Sequence, residues 1–267
     1  MLQNLLQETL DHINQGKIQM LKYPDFFESG YKYKFDKDVS HYLDKIADRD
    51  ENGMLRGICH RITRVMVEVY SLKSVKELTD QIEKNILYLK SSYSGEKNPR
   101  DIQMLKGMLR EYEEELVWAH YGVKVSRIQH LRLGFYTGDI FTPQPQRKRD
   151  VEPIIEVLRR VQPTIISLAF DPEGSGPDTH YKVLQVIAEA LRQWKKEKDL
   201  SGLRIIGYRN VWYRFHPSEA NVFTPVSLNS MAVLDWSFRN CYISQVDASF
   251  PSHEYDGPFS ELSQQIW

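Results

Sequence analysis

Cysteine is almost missing from this sequence. Only Cys59 and Cys241 occur in 267 residues, far apart. That excludes a disulfide framework and a cysteine-built zinc site, and it fits a reducing, cytoplasmic setting. Net charge is missing too: 35 Lys+Arg stand against 36 Asp+Glu, a formal charge of −1. Such a balance gives no electrostatic footing for nucleic acid or an anionic membrane. No apolar run approaches the ~20 residues that span a bilayer. Residues 1–16 are amphipathic and acidic, without the basic start and apolar centre of a secretory signal. There is no internal repeat and no low-complexity tract. What remains is ordinary globular composition, 41% hydrophobic and 27% charged, in a length that suits one large domain or two small ones. The sequence stops at Gln265-Ile266-Trp267 without a turn or polar tail, and it reads as a fragment.

Apolar residues recur at helical spacing through the first ~120 positions. Leu2, Leu5, Leu6, Leu10 and Ile13 form one stripe, with Gly16 as its stop. Further helices are expected over 36–47, 53–72, 75–89 and 99–120. The helix over 53–72 carries Leu55, Ile58, Cys59, Ile62, Val65, Met66 and Val69 on one face; its Val-rich end is also compatible with a strand. The stretch 91–99 is a turn or linker.

After Gly122 the pattern changes. Residues 128–133 (IQHLRL) alternate like a strand. A Pro-rich loop, 142–146, follows, and Asp150 is placed to cap a helix bearing Ile154, Ile155, Val157, Leu158 and Val161. Residues 164–170 (TIISLAF) suit a buried parallel strand. A loop, DPEGSGPDTH, leads to a helix over 181–198, and 203–208 (LRIIGY) reads as the next strand. Strand, helix, strand, helix and strand in this order predict βαβ units on a parallel sheet. The expected fold class is therefore α/β, a helical N-terminal half followed by a Rossmann-like parallel-sheet half or part of one.

Ligands of open parallel sheets bind beyond the carboxyl ends of the strands. The loop at that position holds Asp171, Glu173, Asp178 and His180 within ten residues, with Gly174 and Gly176 shaping the backbone. A neutral imidazole beside carboxylates is a common ligand set for first-row metals. The same composition also serves any strand-to-helix loop, where Asp178 or Thr179 would only cap the helix.

The segment Asp171-Pro-Glu-Gly-Ser-Gly-Pro-Asp-Thr-His180, after its strand, resembles the second metal motif of the PIG-L/LmbE family of zinc-dependent N-acetylglucosaminyl deacetylases. Arg110-x-x-Glu113 with Gly122-Val123 resembles that family's Arg-x-x-Glu helix and Gly-Val turn. Met231 to Phe238 with Tyr242-Ile-Ser-Gln245 resembles its late helix ending in Ser-Gln. The likeness covers about residues 100–246 and is nearest to the deacetylase-like domain fused to glucosamine-6-phosphate deaminase-like proteins. It implies a helical region over 1–98 and a partial deacetylase-like α/β domain over 99–267. It further implies zinc where the site is complete, with His180 as a ligand, Asp178 orienting it or moving a proton, and Arg110, Asp171 and Glu173 binding an amino-sugar substrate. The implied partners are that small molecule and a fused or separate deaminase-like domain, with neither nucleic acid nor membrane. Two departures stand out. The family's first motif, His-Pro-Asp-Asp after a strand, is absent, and His216-Pro-Ser-Glu219 lies in the wrong place to replace it. Gly176 stands where the second motif has its first His, and Thr179 is inserted before His180.

Other candidates have plain explanations. His60 reads as a packed or surface histidine, and Arg110 could simply pair with Glu113 or Glu114 along its helix. Tyr208, Trp212, Tyr213 and Phe215 could stack on a sugar or only pack a strand. Residues 195–198 are a solvated helix end. Two functions compete: a metal-dependent deacetylase domain, and a non-catalytic module that binds a sugar phosphate or a protein.

Overall fold

A computed structural model describes residues 1–23, 25–29, 35–93, 96–135, 142–171, 178–209, 215–245 and 260–261. The chain divides into two compact units: Met1–Gln129 with Val226–Trp267, and His130–Pro225. The sequence boundary at 98/99 marks the start of a family likeness, a criterion different from compactness.

The first unit is helical. Its elements are α1 (Leu2–Asn14), the one-turn α2 (Phe26–Ser29), α3 (Phe35–Ala47), α4 (Glu51–Tyr70), α5 (Val75–Ser91), α6 (Arg100–His120) and α9 (Leu228–Cys241). Their ends follow from local chemistry. The Asp50 carboxylate accepts the Gly53 N–H at the start of α4, and the Ser74 hydroxyl accepts the Glu77 N–H at the start of α5. Ser71, in the left-handed region at φ 52°, ends α4, so its Val-rich end is helix and not strand. The buried stripes of α1, α3, α4, α5 and α6 meet in one core around Leu6, Val39, Cys59, Met66, Leu78, Ile82 and Leu116. Inside it lies a fully buried cation. Arg61 donates to Glu115 at 2.6 Å, lies 3.5 Å from Asp38, and stacks 4.4 Å over the Tyr112 ring. Arg64 meets the same Asp38 at 2.9 Å. Helices α3, α4 and α6 are thus tied by charge as well as by apolar contact. No helix among the described residues is long and apolar enough to cross a membrane.

The second unit holds α7 (Glu152–Val161), β1 (Ile165–Ala169), α8 (Asp178–Trp194) and β2 (Arg204–Tyr208). β1 and β2 pair in parallel, with Ile165 beside Arg204 and Ala169 beside Tyr208. This is the α/β arrangement expected, with α8 as the connecting helix. The helices α7 and α8 share a core of Ile154, Ile155, Leu158, Val186, Ala190 and Trp194, joined by Leu133 and Phe135.

Three expectations need correction. Residues 128–133 form no strand: Arg132 sits at φ 47°, which breaks an extended run, and Leu133 and Phe135 turn into the core instead. β1 is not uniformly buried. Leu168 is buried and Ile166 packs on the α7–α8 core, whereas Ile165 and Ser167, on the opposite face, are exposed. Asp150 does not cap α7. It lies in a π-helical turn, Arg147–Val151, fully buried, and its carboxylate accepts the N–H groups of Gly134 and Gln146, each at 2.7 Å, and the Arg149 guanidinium. A Cβ on Gly134 would fall 1.9 Å from Arg149 Nε, so only glycine permits this approach. Burial alone would raise the Asp150 pKa. The bonds from Arg149, Gln146 and Gly134 outweigh it and hold the carboxyl below its ordinary 3.8. Its contribution to stability is therefore present above pH 3.8 and is lost as pH falls through the lower folded value.

Two stability predictions follow from these buried groups. Arg61→Ala, which takes a guanidinium partner from the buried Glu115 and Asp38, lowers unfolding stability of the first unit by about 3–5 kcal/mol in urea denaturation. Asp150→Ala, which leaves two backbone donors unsatisfied, lowers that of the second by about 2–4 kcal/mol. Losses under about 0.5 kcal/mol would mean that these groups are not buried and paired as described.

Candidate functional site at the start of helix α8

The carboxyl end of β1 and the first turn of α8 face each other because a parallel crossover must begin there. Asp171, two residues beyond β1, is buried; His180, in the first turn of α8, is partly open. His180 Nδ1 lies 3.0 Å from Asp171 Oδ2. A carboxylate oxygen accepts, so Nδ1 carries the hydrogen and the tautomer is fixed with Nε2 as the basic nitrogen. The carboxylate that orients His180 is thus Asp171, expected to bind substrate, and not Asp178.

Asp178 is engaged elsewhere. It forms an ion pair with Lys182, one turn along α8, and accepts the Thr142 hydroxyl at 2.8 Å. Lys182 is almost wholly buried, and its ammonium also donates to the Thr142 carbonyl at 2.9 Å and hydroxyl at 2.5 Å. All three ammonium hydrogens therefore have acceptors, which is what makes a buried lysine tolerable. The hydrogen bond from Lys182, then that from Thr142, holds the Asp178 carboxyl below its ordinary range. This clamp joins the loop at Thr142 to α8. Sequence reading missed it; the Asp178–Lys182 spacing of four along a helix was the available signal.

The remaining candidates separate. Glu173, Trp212 and Tyr213 lie outside the described residues. Tyr208 ends β2, and Phe215 lies under the Arg209 guanidinium at 4.5 Å. His216 closes a local turn, with Nδ1 2.7 Å from the Ser218 hydroxyl and its N–H on Glu219. Arg110 is exposed on α6, in the first unit, whereas Asp171, Asp178 and His180 belong to the second. Its neighbour Glu113 is fully buried, and burial raises its pKa against the pull of Ser244 and Arg110. Glu113 accepts the Ser244 N–H and, at 2.8 Å, the Ser244 hydroxyl; Glu114 accepts Tyr242 OH at 2.9 Å. The Arg-x-x-Glu segment and the Tyr-Ile-Ser-Gln segment are therefore bonded to one another within that unit. Among the described residues no three His, Cys, Asp or Glu side chains are grouped to hold a metal ion.

No family model matches the chain, and no solved structure matches it. A glucosamine-6-phosphate deaminase-like protein of Bacteroides thetaiotaomicron is similar to it, 28% identical over 145 residues. The match takes in 52% of this chain and spans about a fifth (21%) of that relative's length.

The Lys182 clamp yields a direct prediction. In Lys182→Met the Asp178 carboxyl titrates nearer its ordinary 3.8, read by carbon NMR, while the unit stays folded because methionine fills similar space. An Asp178 titration unchanged by the substitution would contradict the clamp.

Proposed function

We propose that this chain belongs to a protein of amino-sugar metabolism and contributes part of a PIG-L/LmbE-like deacetylase domain that hydrolyses the N-acetyl group of an N-acetylglucosamine-type substrate. The observation that carries this reading is the His180–Asp171 pair at the carboxyl end of a parallel strand. The likeness to a deaminase-like relative supports the amino-sugar class and a neighbouring deaminase-like domain, fused or separate.

An imidazole whose Nδ1–H is held by a carboxylate is oriented as metal-ligating histidines generally are. His180 fits as one ligand of a zinc ion, with Asp171 positioning it. A catalytic zinc needs about three protein ligands, so the others would come from outside the described residues. When bound, zinc supplies polarisation of the amide carbonyl and activation of water. Lys182 and Thr142 keep Asp178 ionised and occupied, which makes it a clamp in this reading and not a proton carrier. Arg110 and Glu173 remain substrate-binding candidates from the family likeness alone. A non-catalytic module that binds a sugar phosphate is the second reading; it is favoured by Gly176 standing where the family has a histidine.

The test is zinc content and release of free amine from N-acetylglucosamine and its 6-phosphate. This chain alone should bind zinc weakly or not at all and release no amine. With a strand ending in His-Pro-Asp-Asp supplied ahead of it, zinc should bind. His180→Ala should then abolish binding, and Asp171→Asn should weaken it about 10–100-fold. Equal zinc binding with and without His180 would overturn the catalytic reading and leave the binding module.

A further inference from the structure

The α3–α4 hairpin packs through three successive contacts. At one end Asp38 meets Arg61 and Arg64. At the other, Lys45 crosses Gly53 so closely that a Cβ there would fall 2.5 Å from the lysine Cδ. Between them lie two histidines. The His41 ring edge would stand 3.4 Å from a Cβ on Gly57, one helical turn before His60. The Nε2 atoms of His41 and of His60 are both buried, and neither has a hydrogen-bond partner among the described residues. Two buried imidazole nitrogens without partners have no evident value in a purely structural joint, since each loses hydration without compensation.

We propose that the α3–α4 contact is a pH-sensitive joint, closed while His60 is neutral and opened when His60 takes a proton. The charges facing His60 act in that direction: His41 of α3, and Arg64 and Arg56 on α4, while a backbone hydrogen bond at Lys17 opposes them and is outweighed. The acids that neighbouring helices bring to α4 are directed at other groups. Asp38 of α3 goes to Arg61 and Arg64, and Glu115 of α6 goes to Arg61. Glu8 and Asp11 of α1 act on Cys59. Helix α5 meets α4 through the neutral Asn85, at Tyr70 and Met66. Burial, then His41, lowers the His60 pKa from 6.5 to about 4. The sign is therefore fixed: the unfolded or opened segment binds a proton first, so closure is complete above pH 6.5 and is lost as pH falls toward 4. This acid-driven release of α3 does not depend on the deacetylase reading.

Amide hydrogen exchange on the whole chain, corrected for intrinsic rates, tests this. Between pH 7.5 and pH 5 the opening equilibrium of α3 should rise about thirtyfold, while α5, which holds none of these groups, changes far less. His60→Gln should remove most of the α3 response. If that variant fails to fold, the contrast between α3 and α5 in the natural chain still decides the question. Equal responses of α3 and α5, or an α3 response that survives His60→Gln, would overturn the proposal.

Discussion

Two parallel strands cannot be joined by a tight turn; the chain must leave the first at its carboxyl end and return along the sheet. That constraint places the candidate site of the second unit. It fixes where α8 begins, and so it sets the first turn of α8 beside the residues that follow β1. Asp171 and His180 meet for this reason, nine positions apart in sequence and 3.0 Å apart in space. The same first turn receives the loop at Thr142 through Lys182 and Asp178. One side of the helix start is thus partly open and carries a histidine of fixed tautomer. The other is closed by a satisfied buried cation.

The first unit is built on a different economy of charge. Arg61, Asp38, Arg64 and Glu115 neutralise one another inside an apolar core, and each removal would take a charge partner from a buried group. Such a network adds little net stability against an apolar replacement. Its effect here is to fix the register of α3 and α6 on α4, because Asp38 must reach both guanidinium groups while Glu115 reaches Arg61. The same register leaves His41 and His60 together in the middle of the α3–α4 contact.

Much of this fold could be read from sequence. Every helix expected over the first 120 residues is present within a few positions, because apolar stripes and capping side chains are local signals. The parallel pair β1–β2 and its connecting helix were legible for the same reason. What was not legible depended on partners distant in sequence. Alternation in 128–133 suggests a strand, but the positive φ of Arg132 follows from the core contacts of Leu133 and Phe135. Asp150 has the look of a cap, yet its acceptors are taken by Gly134 and Gln146, which precede it. Lysine is seldom buried, so nothing in the helical pattern singles out Lys182. Asp178 stands nearer than Asp171 to His180 in sequence, and only the crossover geometry reverses the choice.

The central claim is that Asp171 holds His180 through Nδ1 at the carboxyl end of β1. Long-range proton–nitrogen NMR of the imidazole ring at neutral pH tests it most directly. The expected result is a hydrogen on Nδ1 of His180, hydrogen-bonded to Asp171, and loss of that preference in Asp171→Ala. A His180 ring carrying its hydrogen on Nε2, or one indifferent to the loss of Asp171, would contradict it.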